Sequence, residues 1–553
     1  MSTHHSDVLA HEDHQSAPAH PTALFDRAQK ILDDLGKSPV ASSAYTTAVA
    51  ARLRKDGELL FPAARQWLLG HQLPDGSWGG VIKMPYDRTL STLAAVVALA
   101  GESGPGGPRV QQAVDNGCRY LREYGGEWRH HYAETCAFET IVPQLLAEAR
   151  TLGLQLPYQD FADLEEARAA KLRLIPLERL VSEPTSLLFS LEGVPQLPDI
   201  APQLTRFLSP NGTMGNSIAS TAAYYSATGN PQSLQFLQSV QAEDGSFPEF
   251  HPAELLEKLW VLHHLHRARL LRDPSQYVTW LREVLGETGL VAFSPSFPAP
   301  DSDNSSMSLV LLHGFAPAYD SSKQLHGLLA FENPTNFADY PYARQTSLTP
   351  NARVLQALLK QPDRYRPQID KVLQYVLGEQ HADGKWCDYW NVSPHYGTAH
   401  VAFSLTTPGL SRSIIAEPLN KAYQWLMRSQ HRSGVWGFGD GTPEETAYAV
   451  LTLDAMADAG MPVDHRVWNN AAVYLREHLD DPSHPSLWIG KALYSPNLIV
   501  RSGWLAAYAI ALARAAENAA DNVSTLLDDV RAHVQPTLRG AGSAPESQRQ
   551  DPR

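Results

Sequence analysis

Apolar residues recur at helical spacing along most of the chain, whereas strand-like alternation is nearly absent. Leu90, Leu93 and Val97 line one face of a segment that Gly101 stops. Leu255, Leu259 and Leu262 line a second, opened by His251-Pro252, and Val354, Leu355, Leu358 and Leu359 a third, opened by Thr349-Pro350. The clearest signal starts at Thr442, an N-cap hydroxyl followed by Pro443 at the first helical position. Glu445 completes a capping box there, and Gly460 supplies the stop. Short Gly/Pro turns separate these segments. The pattern predicts an all-α protein built from helical hairpins.

The chain also repeats itself. Gln72-Leu-Pro-Asp-Gly76-Ser-Trp78 returns as Gln241 to Phe247 around Gly245, as Gln380 to Trp386 around Gly384, and as Gln430 to Trp436 around Gly434. Leu208 to Met214 reads as a decayed copy. Glutamine ends one helix, glycine permits a tight turn, and the ring packs over the start of the next helix. These segments resemble the QW repeats of class II terpene cyclases, whose helical hairpins close into double α-barrels. That resemblance implies two α/α-barrel domains and a structural role for the repeats.

Composition narrows the classes. The 553 residues are 43% hydrophobic and 19% charged, which excludes disorder for the bulk of the chain. Apolar runs such as Leu93–Ala100 and Leu505–Ala513 fall short of the roughly 20 residues of a spanning helix, so no membrane insertion is expected. A net charge of −14 counts against nucleic acid, and it obliges any anionic ligand to find a local cationic pocket. Cys118, Cys136 and Cys387 lack CxxC spacing and read as reduced thiols of a cytoplasmic protein. The His-rich residues 1–21 and the segment 536–553 read as disordered tails. The oligomeric state is left open.

One loop carries candidate chemistry. A proline-stiffened stretch from Phe293 leads into Asp301-Ser302-Asp303-Asn304 and then an apolar helix. Taken alone, this is a capping acidic turn. It resembles the DxDD motif of class II cyclases, with Asn304 in the fourth place. The resemblance implies that Asp303 is the general acid, with Asp301 and Asn304 supporting it. Protonating an isolated alkene needs a strong, well-aimed acid, so Asp303 is expected to be kept un-ionised by an apolar pocket and by nearby Asp301. The carbocation then needs a dry chamber lined with rings.

Further segments carry the likeness over about residues 22 to 530. Ser43 to Ala48 resembles a family segment in which Thr46 replaces an acid. Asp87-Arg88, Phe138-Glu139, Trp386 to Tyr396, Trp488 to Tyr494 and Val500-Arg501 each resemble family stretches. The prenyl-diphosphate branch of the family implies a β-type barrel over 22–57 plus 279–535 and an inserted γ-type barrel over 58–278. It also implies substrate-binding roles for Trp386, Trp390, Tyr396 and His395, and diphosphate contacts from Lys491, Arg501 and Arg344. Mg²⁺ is the expected cofactor, with Glu127 as a candidate ligand. An Asp-Asp-x-x-Asp motif is absent from the sequence, so the diphosphate is expected to stay on the product.

The sequence is identified as most like bacterial drimenyl diphosphate synthases, which implies cyclisation of farnesyl diphosphate to drimenyl diphosphate. The alternative is geranylgeranyl diphosphate giving a copalyl- or halimadienyl-type diphosphate. Rival readings are a squalene-type cyclase, a zinc prenyltransferase using Cys387, Asp388 and His400, and a non-catalytic α/α-barrel binding module.

Overall fold

A computed structural model describes residues 21–517 apart from 38, 102–106, 298, 341–345 and 482. The tails expected at the two ends lie outside the described residues, except Pro21, which starts the first helix. The described residues are overwhelmingly helical. Their strands are two short antiparallel ribbons, Arg54–Lys55 with Glu58–Leu59 and Trp488–Ile489 with Leu493–Tyr494.

The helices gather around two large cores. The first holds the helix Pro21–Asp33 and the helices from Glu254–Arg267 to Asn497–Glu517. The second holds the helices from Ala44–Ala50 to Pro231–Val240, with a smaller cluster around Leu187, Leu191 and Leu204 beside it. The chain passes between cores near residues 40–44 and 247–250, whereas the expected bounds are 57/58 and 278/279, and Val392, Leu487, Ile489, Ala492 and Leu493 return to the second core. Two helices account for the difference. Ala44–Ala50 packs on Pro62–Gly70 and Pro85–Ala100. Glu254–Arg267 packs on Ser302–Phe315 and Asn497–Glu517, burying Leu259, Trp260 and Leu262. The apolar face of that second helix is satisfied only inside the first core.

Asn497–Glu517 is by length and composition long enough to cross a membrane, longer than the apolar runs suggested. Its most apolar 18-residue stretch is 67% buried, and the helix packs against Glu254–Arg267, Pro443–Asp458 and His465–His478, which is the place of a core helix.

Local signals hold with small displacements. Thr442 caps Pro443–Asp458: its Oγ accepts from the Glu445 N–H at 3.1 Å and donates to Glu445 Oε2 at 2.9 Å. Gly460 follows at φ +84°. The helix expected to open at Thr349-Pro350 begins at Leu348, so both residues sit in its first turn.

The repeats share one bonding scheme. Gln72, Gln241, Gln380 and Gln430 each donate Nε2 to the carbonyl of their own repeat glycine, at 2.9, 3.2, 2.9 and 3.0 Å. Trp78, Trp386 and Trp436 donate their indole N–H to Leu68, Val376 and Leu426, the last turn of the helix before. The backbone N–H of the ring position donates to a threonine: Thr92, Thr398 and Thr446 on the helix that follows, and, for Phe247, Thr47 on the early helix Ala44–Ala50. Met214 does the same to Thr221, so the decayed copy keeps the turn while losing the ring. Glycine is required by close approach as well as by positive φ. At Gly384 a Cβ would stand 2.2 Å from the Lys421 carbonyl oxygen.

Thr446→Val leaves the buried Trp436 N–H without its acceptor. The expected cost is about 1–3 kcal/mol, read as a lower urea midpoint, and an unchanged midpoint would show that the threonine bond contributes little.

Candidate active site

The helix Ser302–Phe315 begins at the acidic motif, and Asp301 is its N-cap. Asp301 Oδ1 accepts from the Asn304 N–H at 2.6 Å, and the Asn304 amide donates to Oδ1 and Oδ2 at 3.0 and 2.9 Å. Asn304 thus serves Asp301 and not Asp303. Burial pushes the Asp301 carboxyl well above the usual range, and the neighbouring Asp303 charge adds to this. Backbone bonds strap the helix start on both sides: Asp301 N–H to Val291 O at 3.0 Å and Ser302 N–H to Asp339 O at 2.9 Å.

Asp303 borders a chamber and meets a partner that the sequence reading missed. Arg353 Nε lies 2.5 Å from Asp303 Oδ1, so the expected apolar pocket around the acid is corrected: a buried guanidinium meets it. Arg353 comes from the helix Leu348–Leu358. Its Nη2 donates to Thr349 Oγ at 3.2 Å and Tyr396 Oη at 3.4 Å, and its plane lies 4.9 Å over the Trp260 ring. Burial works against the Arg353 charge, but Asp303 outweighs it and holds the guanidinium more firmly protonated. Asp388 steadies this helix by accepting from Thr349 N–H at 2.9 Å and Thr349 Oγ at 3.1 Å.

A third carboxyl, Asp339, also borders the chamber. It accepts from Ser347 N–H and Oγ, and from Trp390 Nε1 at 3.1 Å. Burial pushes it up to about 7. It stands alone in its loop, with no motif around it to mark it in the sequence.

The chamber walls are aromatic. Phe189, Phe250, Phe293, Phe297, Trp390 and Tyr494 line it, with ring centroids 4.3 Å apart for Phe293–Phe297 and 5.0 Å for Phe250–Tyr494. Glu134, Glu139 and Lys171 supply polar edges, and the two glutamates also border a neighbouring cleft with Asp163.

Of the other expected residues, Trp390 lines the chamber. Trp386 does not, because its indole is spent in the repeat. Tyr396 is fully buried behind Trp488, 5.1 Å ring to ring, and acts on Arg353. His395 sits away from the chamber, against Ser393, Glu445 and Trp425. Lys491 is 1% exposed and locked to Glu192 Oε1 and Ser217 Oγ, each at 2.6 Å, which leaves a diphosphate no access to it. Arg501 lies on Asn497–Glu517 and does not line the chamber. Arg344 lies outside the described residues. Glu127 pairs with Lys83 at 2.9 Å, away from the chamber. Among the described residues no group of three or more His, Cys, Asp or Glu gathers as a metal site, and Asp388 is already committed to Thr349 and Trp390, so the zinc reading loses its ligands.

Comparison with known proteins places this geometry. The squalene-hopene cyclase C-terminal domain family matches residues 313–467. A type B diterpene cyclase of Mycobacterium tuberculosis is 30% identical over 498 residues, covering 85% of this chain and 95% of that protein. A copalyl diphosphate synthase of Streptomyces cyslabdanicus is 30% identical over 554 residues, covering 91% and 99%. The structure of ent-copalyl diphosphate synthase from Streptomyces platensis superposes with a TM-score of 0.73 at 26% identity, covering 88% and 99%. The chain belongs to the class II terpene cyclases, and it is an enzyme of the protonation-initiated type. The all-α double-barrel expectation stands. The likeness to drimenyl diphosphate synthases, and with it the farnesyl assignment, is corrected: these relatives are named as a diterpene cyclase and as copalyl and ent-copalyl diphosphate synthases. The non-catalytic module is set aside with it.

Asn304→Asp replaces the amide donor on Asp301 with a second carboxyl. The raised Asp301 carboxyl favours folding while protonated, and that contribution is lost as pH rises out of the ordinary carboxylate range. The variant is expected to lose about 1–3 kcal/mol, with a larger deficit in mildly alkaline than in mildly acidic buffer. Denaturant titration at both pH values checks this; a pH-independent deficit would contradict it.

Proposed function

We propose that the protein cyclises geranylgeranyl diphosphate to a bicyclic, labdane-type diphosphate of the copalyl class, with the diphosphate retained. The observation that carries the reading is Asp303 at the wall of a ring-lined chamber, at the start of a helix strapped on both sides. The substrate class is drawn from the relatives' names.

The chemistry follows from the lining. Asp303 delivers its proton to the terminal alkene of the folded chain, whose other double bonds close the rings in turn. The faces of Phe293, Phe297 and Trp390 favour the migrating positive charge, and apolar walls keep water from trapping it. Proton loss ends the reaction. The walls also fold the chain so that its double bonds lie within reach of one another, which lowers the entropic part of the barrier.

The diphosphate is assigned to the polar edge. Lys171 offers a cation there, and Glu134 and Glu139 face the same space. Two carboxylates completed by substrate phosphate oxygens are a common way to bind Mg²⁺, without a full protein cage. These two glutamates therefore fit the ion where Glu127 does not; when bound it would neutralise the diphosphate. The setting is taken to be cytoplasmic.

The test is incubation of the purified protein and Mg²⁺ with prenyl diphosphates of graded length, followed by dephosphorylation and product analysis. A bicyclic alcohol from the geranylgeranyl substrate is expected, and an untouched geranylgeranyl chain would overturn the substrate assignment. Asp303→Asn is expected to cut turnover by about 10³-fold or more with substrate binding retained; retained cyclisation would place the acid elsewhere.

A further inference from the structure

Two tryptophans border the chamber, Trp390 and Trp488, and each gives its indole N–H to a carboxyl. Trp390 Nε1 donates to Asp339 Oδ2 at 3.1 Å, and Trp488 Nε1 to Glu444 Oε1 at 2.8 Å. The tryptophans of the repeats make a different bond. Trp78, Trp386 and Trp436 donate to backbone carbonyls, which are enough to satisfy a buried indole. Apart from Trp67 at the surface, which meets Asp244, the two chamber rings are the indoles among the described residues that give their hydrogen to an acid.

Glu444 is not needed for the cap of its own helix. It lies in the first turn of Pro443–Asp458, but Glu445 closes the cap on Thr442 and takes the Ser393 hydroxyl. Glu444 is 2% exposed, and Asn391 Nδ2 donates to the same Oε1 at 3.3 Å. The backbone joins the two tryptophan segments through the Ile489 N–H and the Trp390 carbonyl, 2.9 Å apart. Tyr396 packs on the Trp488 ring at 5.1 Å. Trp488 is therefore held by its backbone, by Tyr396 and, at its N–H, by Glu444. Burial pushes the Glu444 carboxyl up to about 8, so near neutral pH it is mostly uncharged and accepts through Oε1. An acceptor on the indole N–H polarises the ring and leaves its face richer in electrons. Such a face attracts a cation more strongly.

We propose that Glu444 is a positioning residue that aims Trp488 at the chamber and strengthens its hold on the positive charge of cyclisation. The proposal rests on the reading of the protein as a protonation-initiated cyclase of geranylgeranyl diphosphate. Glu444 does not border the chamber; it acts through the indole. Trp488 then joins Phe293, Phe297 and Trp390 as a ring that the charge meets. A fixed ring favours one position of the charge over others, so Glu444 bears on which product forms as well as on rate.

The test compares Glu444→Leu, Glu444→Gln, Trp488→Phe and the double variant Glu444→Leu/Trp488→Phe. Leucine removes the acceptor. It is expected to lower kcat about tenfold with KM held within about twofold, and to add prematurely quenched products to the bicyclic one. Glutamine keeps an acceptor of nearly the same shape and is expected to recover most of the loss. Trp488→Phe keeps a ring without an N–H, so adding Glu444→Leu to it is expected to change little further. A second measurement needs no turnover: calorimetric binding of a bicyclic ammonium that carries a diphosphate, against its uncharged carbon counterpart. Glu444→Leu is expected to weaken the ammonium by about threefold to tenfold and to leave the uncharged compound unchanged. Trp488→Phe keeps Glu444 and guards against a folding defect in the leucine variant; it too is expected to weaken the ammonium selectively. Equal losses for both compounds, or effects that simply add in the double variant, would mean packing alone and overturn the proposal. So would a leucine variant that behaves as the parent. If the parent forms no bicyclic product, the reading beneath fails; if it does and the variants do not tell the two compounds apart, only this proposal fails.

Discussion

The structure depends on holding a carboxylic acid against a chamber that must stay dry. The backbone meets that constraint first. Asp301 and Ser302 give their N–H groups to Val291 and Asp339 in neighbouring loops, so the turn before the Ser302–Phe315 helix has little freedom to swing. Only then do side chains matter. Both acids border the chamber, but Asp301 caps the helix and takes the Asn304 amide, whereas Asp303, two residues on, meets Arg353. A helix start places residues i and i+2 on different sides, which is how two adjacent acids acquire different surroundings and different work.

The double barrel exists to keep that turn in place. Four hairpins are tied by a glutamine to its own glycine, and three of them also by a tryptophan to the helix before. The threonine that receives the ring's backbone N–H ties the hairpin to the next helix. Repetition of one bonding scheme gives a curved wall of buried helices, and the aromatic chamber lies beside the wall that carries the acid. The buried polar joint of Lys491, Glu192, Glu249, Ser43 and Thr46 connects segments from both cores.

Much of this was legible in the sequence and some was not, for identifiable reasons. The all-α class, the repeats, the Thr442 cap and the acid turn were read from local spacing, because each is encoded within one helix turn or one loop. Trp390, expected to bind substrate, borders the chamber. Lys491 and Trp386 were misplaced because their partners, Glu192 and the Val376 carbonyl, are known only once the chain folds. Arg353 and Asp339 were missed because neither stands in a motif. The helix Glu254–Arg267 packs in the first core, which its sequence does not reveal because its apolar face reads the same whichever core covers it. Relatedness corrected the substrate, since chain length is a property of a cavity and not of a motif.

Asn304 is the departure that these contacts explain best. An acid at that place would stand beside two other carboxyls in a buried turn, and each added negative charge would raise the free energy of the next. The amide instead donates to both oxygens of Asp301 and accepts no charge. Asp301 can then cap its helix without competing with Asp303 for Arg353. The third carboxyl returns from a distant loop as Asp339, held off by Ser347 and Trp390. The site thus keeps three acids near the proton but gives each a different anchor: an amide, a guanidinium, and a serine with an indole. Three carboxyls with identical surroundings would compete for the same partners; three with different anchors do not.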